Sequence, residues 1–247
     1  MDVPHATQPR LSGPLGAAVA LTAAAGFSDA HIFLHVTDVF VANMSGNLVL
    51  AGMALGEGSW RAGARHATAL VAFALGAAWA NWFHARNRRR DRPMRPDLVL
   101  AFEATLMLVV VAWIAALGGD FADEPGFVYP VIGFGAFAMG MQNAALLRVG
   151  VVAVATTYAS GSVARLGAES ALMVTASGME ERSPHARAAR VLAAVLVAYL
   201  CGAALAAWAG SAAAWLLVPV VVLAVTAAAT HRRLAEEPWD ADIRRSA

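Results

Sequence analysis

Phe40-Val41-Ala42-Asn43-Met44-Ser45-Gly46-Asn47-Leu48 decides the fold of this chain. It lies in the apolar segment Val39 to Gly56 and breaks it with Asn43, Ser45, Gly46 and Asn47. A helix needs about 20 mostly apolar residues to cross a bilayer. Ser caps helices well, and Gly permits backbone shapes closed to other residues. The stretch therefore predicts a half-helix over Asn47 to Gly56, started inside the membrane and returned to its own side. A second segment, Val151 to Thr175, poses the same question. It is broken by Thr156, Thr157, Ser160, Gly161 and Ser162, carries Arg165 and Glu169, and predicts a half-helix over Ser162 to Met173.

Around these two breaks lie six apolar runs of spanning length: Leu15 to Val36, His66 to Phe83, Leu98 to Leu117, Phe127 to Leu147, Ala188 to Ala209 and Ser211 to Thr230. Of the 247 residues, 59% are hydrophobic and 14% charged, and mean hydropathy is +0.59. Soluble domains have about 45–50% apolar and about 25% charged residues, so a soluble domain and a disordered chain are both excluded. Net charge is +1, all of the basic residues are Arg, and no nucleic-acid partner is expected. Cys201 is alone and forms no intramolecular disulfide.

Arginines mark the cytoplasmic side of a membrane protein. With six spans, Arg10, the run from Arg86 to Arg95, Arg148, Arg182, Arg187, Arg190 and the four C-terminal arginines share one side, leaving Arg61 and Arg65 on the other. With eight spans they scatter across both. Six spans plus two re-entrant segments follow, with both termini cytoplasmic in a bacterial inner membrane. The N-terminal run imitates a cleavable signal peptide at Ala23-Ala24-Ala25, but its counterpart in a later span argues for retention.

That counterpart belongs to an internal repeat. Gly26-Phe-Ser-Asp29-Ala30 matches Gly140-Met-Gln142-Asn143-Ala144; Ser45-Gly46-Asn47-Leu48 matches Ser160-Gly161-Ser162-Val163; Ala72-Phe73 to Ala78 matches Ala198-Tyr199 to Ala204. Each half has three spans, an odd number, so the second half is inverted relative to the first. The expected fold is an all-α polytopic membrane helix bundle of two inverted three-span repeats with re-entrant segments. Residues 1–14 form a cytoplasmic tail, 15–118 repeat 1, 119–126 an external loop, 127–230 repeat 2 and 231–247 a second cytoplasmic tail.

Phe40-Val-Ala-Asn43-Met-Ser45-Gly46-Asn47 after a Gly-x-x-Asp-Ala helix, with Gln142-Asn143-Ala144 and Thr156-Thr157-Tyr158-Ala-Ser160-Gly161, resembles the YoaK-like family of bacterial inner-membrane proteins. The resemblance spans about Leu15 to Thr230. It implies the six-span fold and the cytoplasmic membrane, and it supplies no activity and no catalytic residues.

Polar groups at membrane depth need internal partners or a cavity. Asp29, with His31 two residues on, is a candidate proton or cation site, or an ion-paired packing device. His31 and His35 have i, i+4 spacing but lack a clear third metal ligand, so no metal and no cofactor are expected. Asn43, Ser45, Gly46, Asn47, Gln142, Asn143, Thr156, Thr157, Ser160 and Gly161 are candidate lining of a midplane site at the repeat interface, or interhelical glue. Arg165 pairs with Glu169 or binds an anion. Gly133, Gly135, Ala136 and Gly140 form a small-residue stripe suited to close helix packing or a homo-oligomer. No P-loop, G-x-S-x-G, H-E-x-x-H or Rossmann motif is present. The sequence points to a small-solute or ion transporter or channel, with proton coupling through Asp29 as one option. A structural membrane subunit is the alternative, and an intramembrane enzyme ranks below both.

Overall fold

A computed structural model describes residues 12–92, 95–118, 125–145, 148–149, 152–153 and 159–236. Its helices are α1 (Ser12–His35), α2 (Met44–Gly56), α3 (Trp60–Arg89), α4 (Pro96–Ala116), α5 (Val128–Ala145), α6 (Ala159–Thr175), α7 (Met179–Ala209) and α8 (Leu217–Glu236). The one departure from helix among the described ladders is a two-residue antiparallel pair, β1 (Arg148–Val149) with β2 (Val152–Ala153). Each of the six expected apolar runs falls on a separate long helix, and α2 and α6 are the two shorter ones.

Among the described residues, four segments are long and apolar enough to cross a membrane: Leu15–His35, Pro96–Ala116, Met179–Ala209 and Ala213–Arg233. The other two expected spans are α3 and α5. The first carries Arg61, Arg65, His66 and His84, and the second carries Gln142 and Asn143 among its glycines, which lowers their apolarity. Large apolar side chains point outward along the bundle, including Val71, Leu75, Leu200, Val221 and Val225, each more than half exposed. Such a surface fits contact with lipid, and the chain is a multi-pass membrane protein.

Lipid tails are as apolar as Leu, so helices in a bilayer associate through close van der Waals packing rather than a hydrophobic drive. The most extensive contacts join α1 with α7 and α3 with α5. Both crossings rest on glycine. Gly26 of α1 faces the backbone carbonyl of Tyr199, and Gly202 of α7 faces that of Ala23. Gly140 of α5 faces the carbonyl of Phe73, and Gly76 of α3 faces that of Phe137. A Cβ at any of the four would sit inside the carbonyl's van der Waals shell. These contacts interconvert: the sequence offset relating Gly26 to Gly140 also relates Ala23 to Phe137, and the offset relating Gly76 to Gly202 also relates Phe73 to Tyr199. Further packing follows the same correspondence. Helix α2 lies on α3 as α6 lies on α7, and α4 meets α5 as α8 meets α1. Helices α4 and α8 also pack on each other.

The break before α2 is resolved locally. After His35 the chain turns back, and the Ala42 amide reaches the Asp29 carboxylate two turns inside α1. Helix α2 then runs outward to Gly56 and is joined to α3 through Gly58, whose φ of +72° suits glycine.

Candidate functional site

Asp29 anchors the entry to α2. It is 2% exposed; its Oδ1 accepts the Ala42 N–H at 2.6 Å, and the Val41 and Asn43 amides also face the carboxylate. The Tyr199 hydroxyl of α7 donates to Oδ2. The free amides at a helix start favour an anion. Here that anion is the protein's own side chain, so the α2 start is already occupied. Among the described residues, neither Arg nor His pairs with Asp29; its partners there are backbone amides and a tyrosine.

Asn47, fully buried, completes the turn. Its Oδ1 accepts the Phe40 N–H at 3.0 Å and its Nδ2 donates to the Phe40 carbonyl at 2.6 Å. One amide side chain thus satisfies both backbone groups of Phe40, as a neighbouring strand would. His66 Nδ1 of α3 lies 3.3 Å from the same Oδ1. The helix starts earlier than the sequence suggested. Asn43, not Ser45, is the N-cap, taking the Gly46 N–H at 3.2 Å and the Ser45 hydroxyl at 2.9 Å on Oδ1. Asn has two features Ser lacks here: a longer reach, and an acceptor that serves both groups. Gly46 is required by packing, because a Cβ there would press 2.9 Å from the Phe40 ring.

Helix α6 likewise begins before its expected start at Ser162, with Ser160 and Gly161 in its first turn and Ser162 buried. Thr156 and Thr157 lie outside the described residues. Arg165 Nε is 3.7 Å from Glu169, the expected i, i+4 pair, and Glu169 also meets His185 of α7 at 2.8 Å. Gln142, fully buried, donates to the Leu21 carbonyl at 3.1 Å and ties α5 to α1. His31 is fully buried, stacked on Phe27 and edge-on to His35, and neither of its ring nitrogens has a hydrogen bond among the described residues. Asp38 turns instead to Arg65 at 3.4 Å. Among the described residues, no three His, Cys, Asp or Glu side chains cluster as a metal site would need.

The two helix starts share a cavity of about 100 Å³. Ala42, Asn43, Met44 and Ser45 line it from α2 and its cap, Ala159 and Ser160 from α6, Phe73 from α3 and Asn143 from α5. The volume holds about three water molecules. Asn143 Oδ1 is buried without a hydrogen-bond partner among the described residues. The correspondence between the halves explains why. Asn143 stands where Asp29 stands in the first half, and Phe73 stands where Tyr199 stands. Where α1 meets α7, the Asp29 carboxylate and the Tyr199 phenol close on each other. Where α5 meets α3, the Asn143 amide faces the Phe73 ring, which has no hydroxyl, and space remains. The structure thus brings Asn43, Ser45, Ser160 and Asn143 together. It sets Asp29 and Asn47 behind them as supports, and leaves His31, Gln142 and Arg165 off the cavity wall.

Tyr199, Phe73 and His66 did not stand out as polar-site residues in the sequence. Tyr199 and Phe73 were aligned with each other in the third repeat match, and that pairing was the available signal.

Comparison with known proteins agrees with a membrane protein and adds no activity. Residues 17–229 match the family described as "Protein of unknown function (DUF1275)". UPF0700 transmembrane protein YoaK of Bacillus subtilis (strain 168) is 30% identical over 142 residues, covering 58% of this chain and 60% of that protein. The match therefore spans less than two thirds of that relative's length. No solved structure matches.

Proposed function

The chain belongs to the DUF1275 family, and from that premise we propose that it is a transporter or channel for a small polar solute or ion. It has six spans, two re-entrant half-helices and two inverted repeats. The interchangeable glycine contacts support the inverted repeat, since each carbonyl seat in one half has its partner in the other. The return of Ala42 onto Asp29 supports a helix that starts at depth and runs back out. Broken helices meeting near the midplane at a repeat interface are a known transporter plan.

The observation that carries the reading is the cavity between the starts of α2 and α6, with the buried Asn143 Oδ1 on its wall. Its groups are hydroxyls, amides and one aromatic ring, so it suits a solute of a few heavy atoms with a hydrogen-bond donor. Asp29 and Tyr199 hold the α2 half of the site rigid, and a proton-coupling role for Asp29 would need that closed pair to open.

The test uses Ser45→Cys and Ser160→Cys, singly, in a Cys201→Ser background, because Cys201 is exposed. A membrane-impermeant thiol reagent is applied to intact cells and to inverted vesicles. Labelling of both positions, each preferentially from one side, supports a wet pathway and justifies flux screens in proteoliposomes. Silence at both, while Ser59→Cys labels as a loop control, removes the pathway.

A second reading is a structural or partner-binding membrane subunit. It is favoured by one observation: Asp29, Asn43 and Asn47 spend their polar atoms on the protein's own backbone. Under that reading Asn143→Leu, which fills the cavity, leaves the cellular role intact.

A further inference from the structure

A groove of about 550 Å³ runs between α4 and α8, lined in part by the buried Ala104 and Ala227. Its walls are small or flexible: Ala101, Thr105 and Leu108 on α4, Val220, Ala224 and Ala228 on α8. One end is polar. There Asp97, 3% exposed, accepts from Arg95 at 2.8 Å, with His231 Nδ1 2.9 Å away, which clamps the start of α4 to the end of α8. Arg232, beside the clamp and exposed, lines the same end and has no hydrogen bond or ion pair among the described residues. Away from that end the lining is apolar apart from Thr105.

Length identifies the occupant. Asp97 to Leu108 along α4 is about 17 Å, and Val220 to Arg232 along α8 about 18 Å, at 1.5 Å per residue. One leaflet of hydrocarbon is about 15 Å deep. A helix from a second copy would need an apolar seat across the whole bilayer. This groove stops halfway, at the depth where a lipid tail ends. The polar end lies on the membrane face that carries Arg86, Arg88, Arg89 and Arg90, because α3 ends there and α4 begins a few residues on. Asp97 is consumed by Arg95 and His231, so the charge offered outward is that of Arg232. A guanidinium at headgroup level pairs best with phosphate.

We propose that the α4–α8 groove is a binding site for one anionic phospholipid of the leaflet on the arginine-rich face, with an acyl chain along the alanines and the phosphate on Arg232. The Arg95–Asp97–His231 clamp sets the width of the groove at its mouth.

Native mass spectrometry on delipidated protein, supplied with phosphatidylglycerol or with phosphatidylcholine of the same chains, tests this. The expected result is one retained phosphatidylglycerol, preferred over phosphatidylcholine by about fivefold, the effect of one basic residue at the surface. Arg232→Gln erases the preference while leaving weak retention of both lipids. Ala224→Phe, or Ala101→Phe should the first fail to give a monodisperse protein, fills the groove and lowers retention of both. Equal retention of the two lipids by the unaltered protein overturns the proposal, as does a preference that survives both substitutions. A dimer that Ala224→Phe turns into a monomer also overturns it, in favour of a second copy in the groove.

Discussion

Two buried polar residues of this protein illustrate opposite economies of hydrogen bonding. Asn47 uses all of its side chain on the backbone of Phe40. Removing it leaves an N–H and a carbonyl without partners in a buried turn. Asn47→Ala is expected to lower stability by about 2 to 6 kcal/mol, at about 1–3 kcal/mol for each stranded group. Ser45→Ala, which loses one exposed hydroxyl bond to Asn43, should cost less than about 1 kcal/mol. Thermal unfolding of both variants in one detergent checks the contrast, and equal losses would refute the clamp. Glu103 is the opposite case. It is fully buried in α4, and neither carboxyl oxygen has a hydrogen bond among the described residues. A carboxyl buried without a partner is a burden that a thioether of similar length removes. Glu103→Met should raise the unfolding midpoint; a fall of several degrees would reveal a stabilising role for the carboxyl.

At the scale of elements, the helix crossings depend on what is absent from Gly26, Gly76, Gly140 and Gly202. Each makes room for a main-chain carbonyl, which cannot rotate away as a side-chain tip could. Gly→Ala at any of the four forces the pair apart, and a destabilisation of about 3 kcal/mol or more is expected. Gly52 of α2 and Gly167 of α6 have open space where a Cβ would go. Ala there should stabilise by up to about 1 kcal/mol through helix propensity alone. The six variants separate packing from propensity within one protein. A uniform response across them would mean that the close approaches do not hold the crossings.

For the whole molecule, the arrangement fixes which loops share a side. The turn between α2 and α3 and the turn between α6 and α7 belong to opposite halves, so an inverted pair of three-span repeats puts them on opposite faces. In a Cys201→Ser background, Ser59→Cys should label in intact cells, and Ser177→Cys only in inverted vesicles. Labelling of both from the same side would rule out the inverted arrangement. In the inverted arrangement Arg61 and Arg65 would sit on the outer face, with Arg65 held by Asp38.

The sequence by itself determined the class of the protein, the positions of its helices and the place of both breaks. Long apolar runs can lower their free energy only as helices in lipid, and polar residues inside such runs must end a helix or face a partner. The start of α2 was legible to within a few residues, and the wrong capping residue was chosen because Ser and Asn are near-equal caps on local grounds. The collinear matches also pointed to the glycines on which the crossings rest. Only the tertiary structure decided what the polar residues do. Asp29 meets Tyr199 across 170 residues of chain, a pairing no local pattern encodes. Asp29 and Tyr199 close on each other, while the positions aligned with them, Asn143 and Phe73, border a cavity. Pairings of this kind are set by which helices cross and at what depth, and the carbonyl seats at four glycines fix that register.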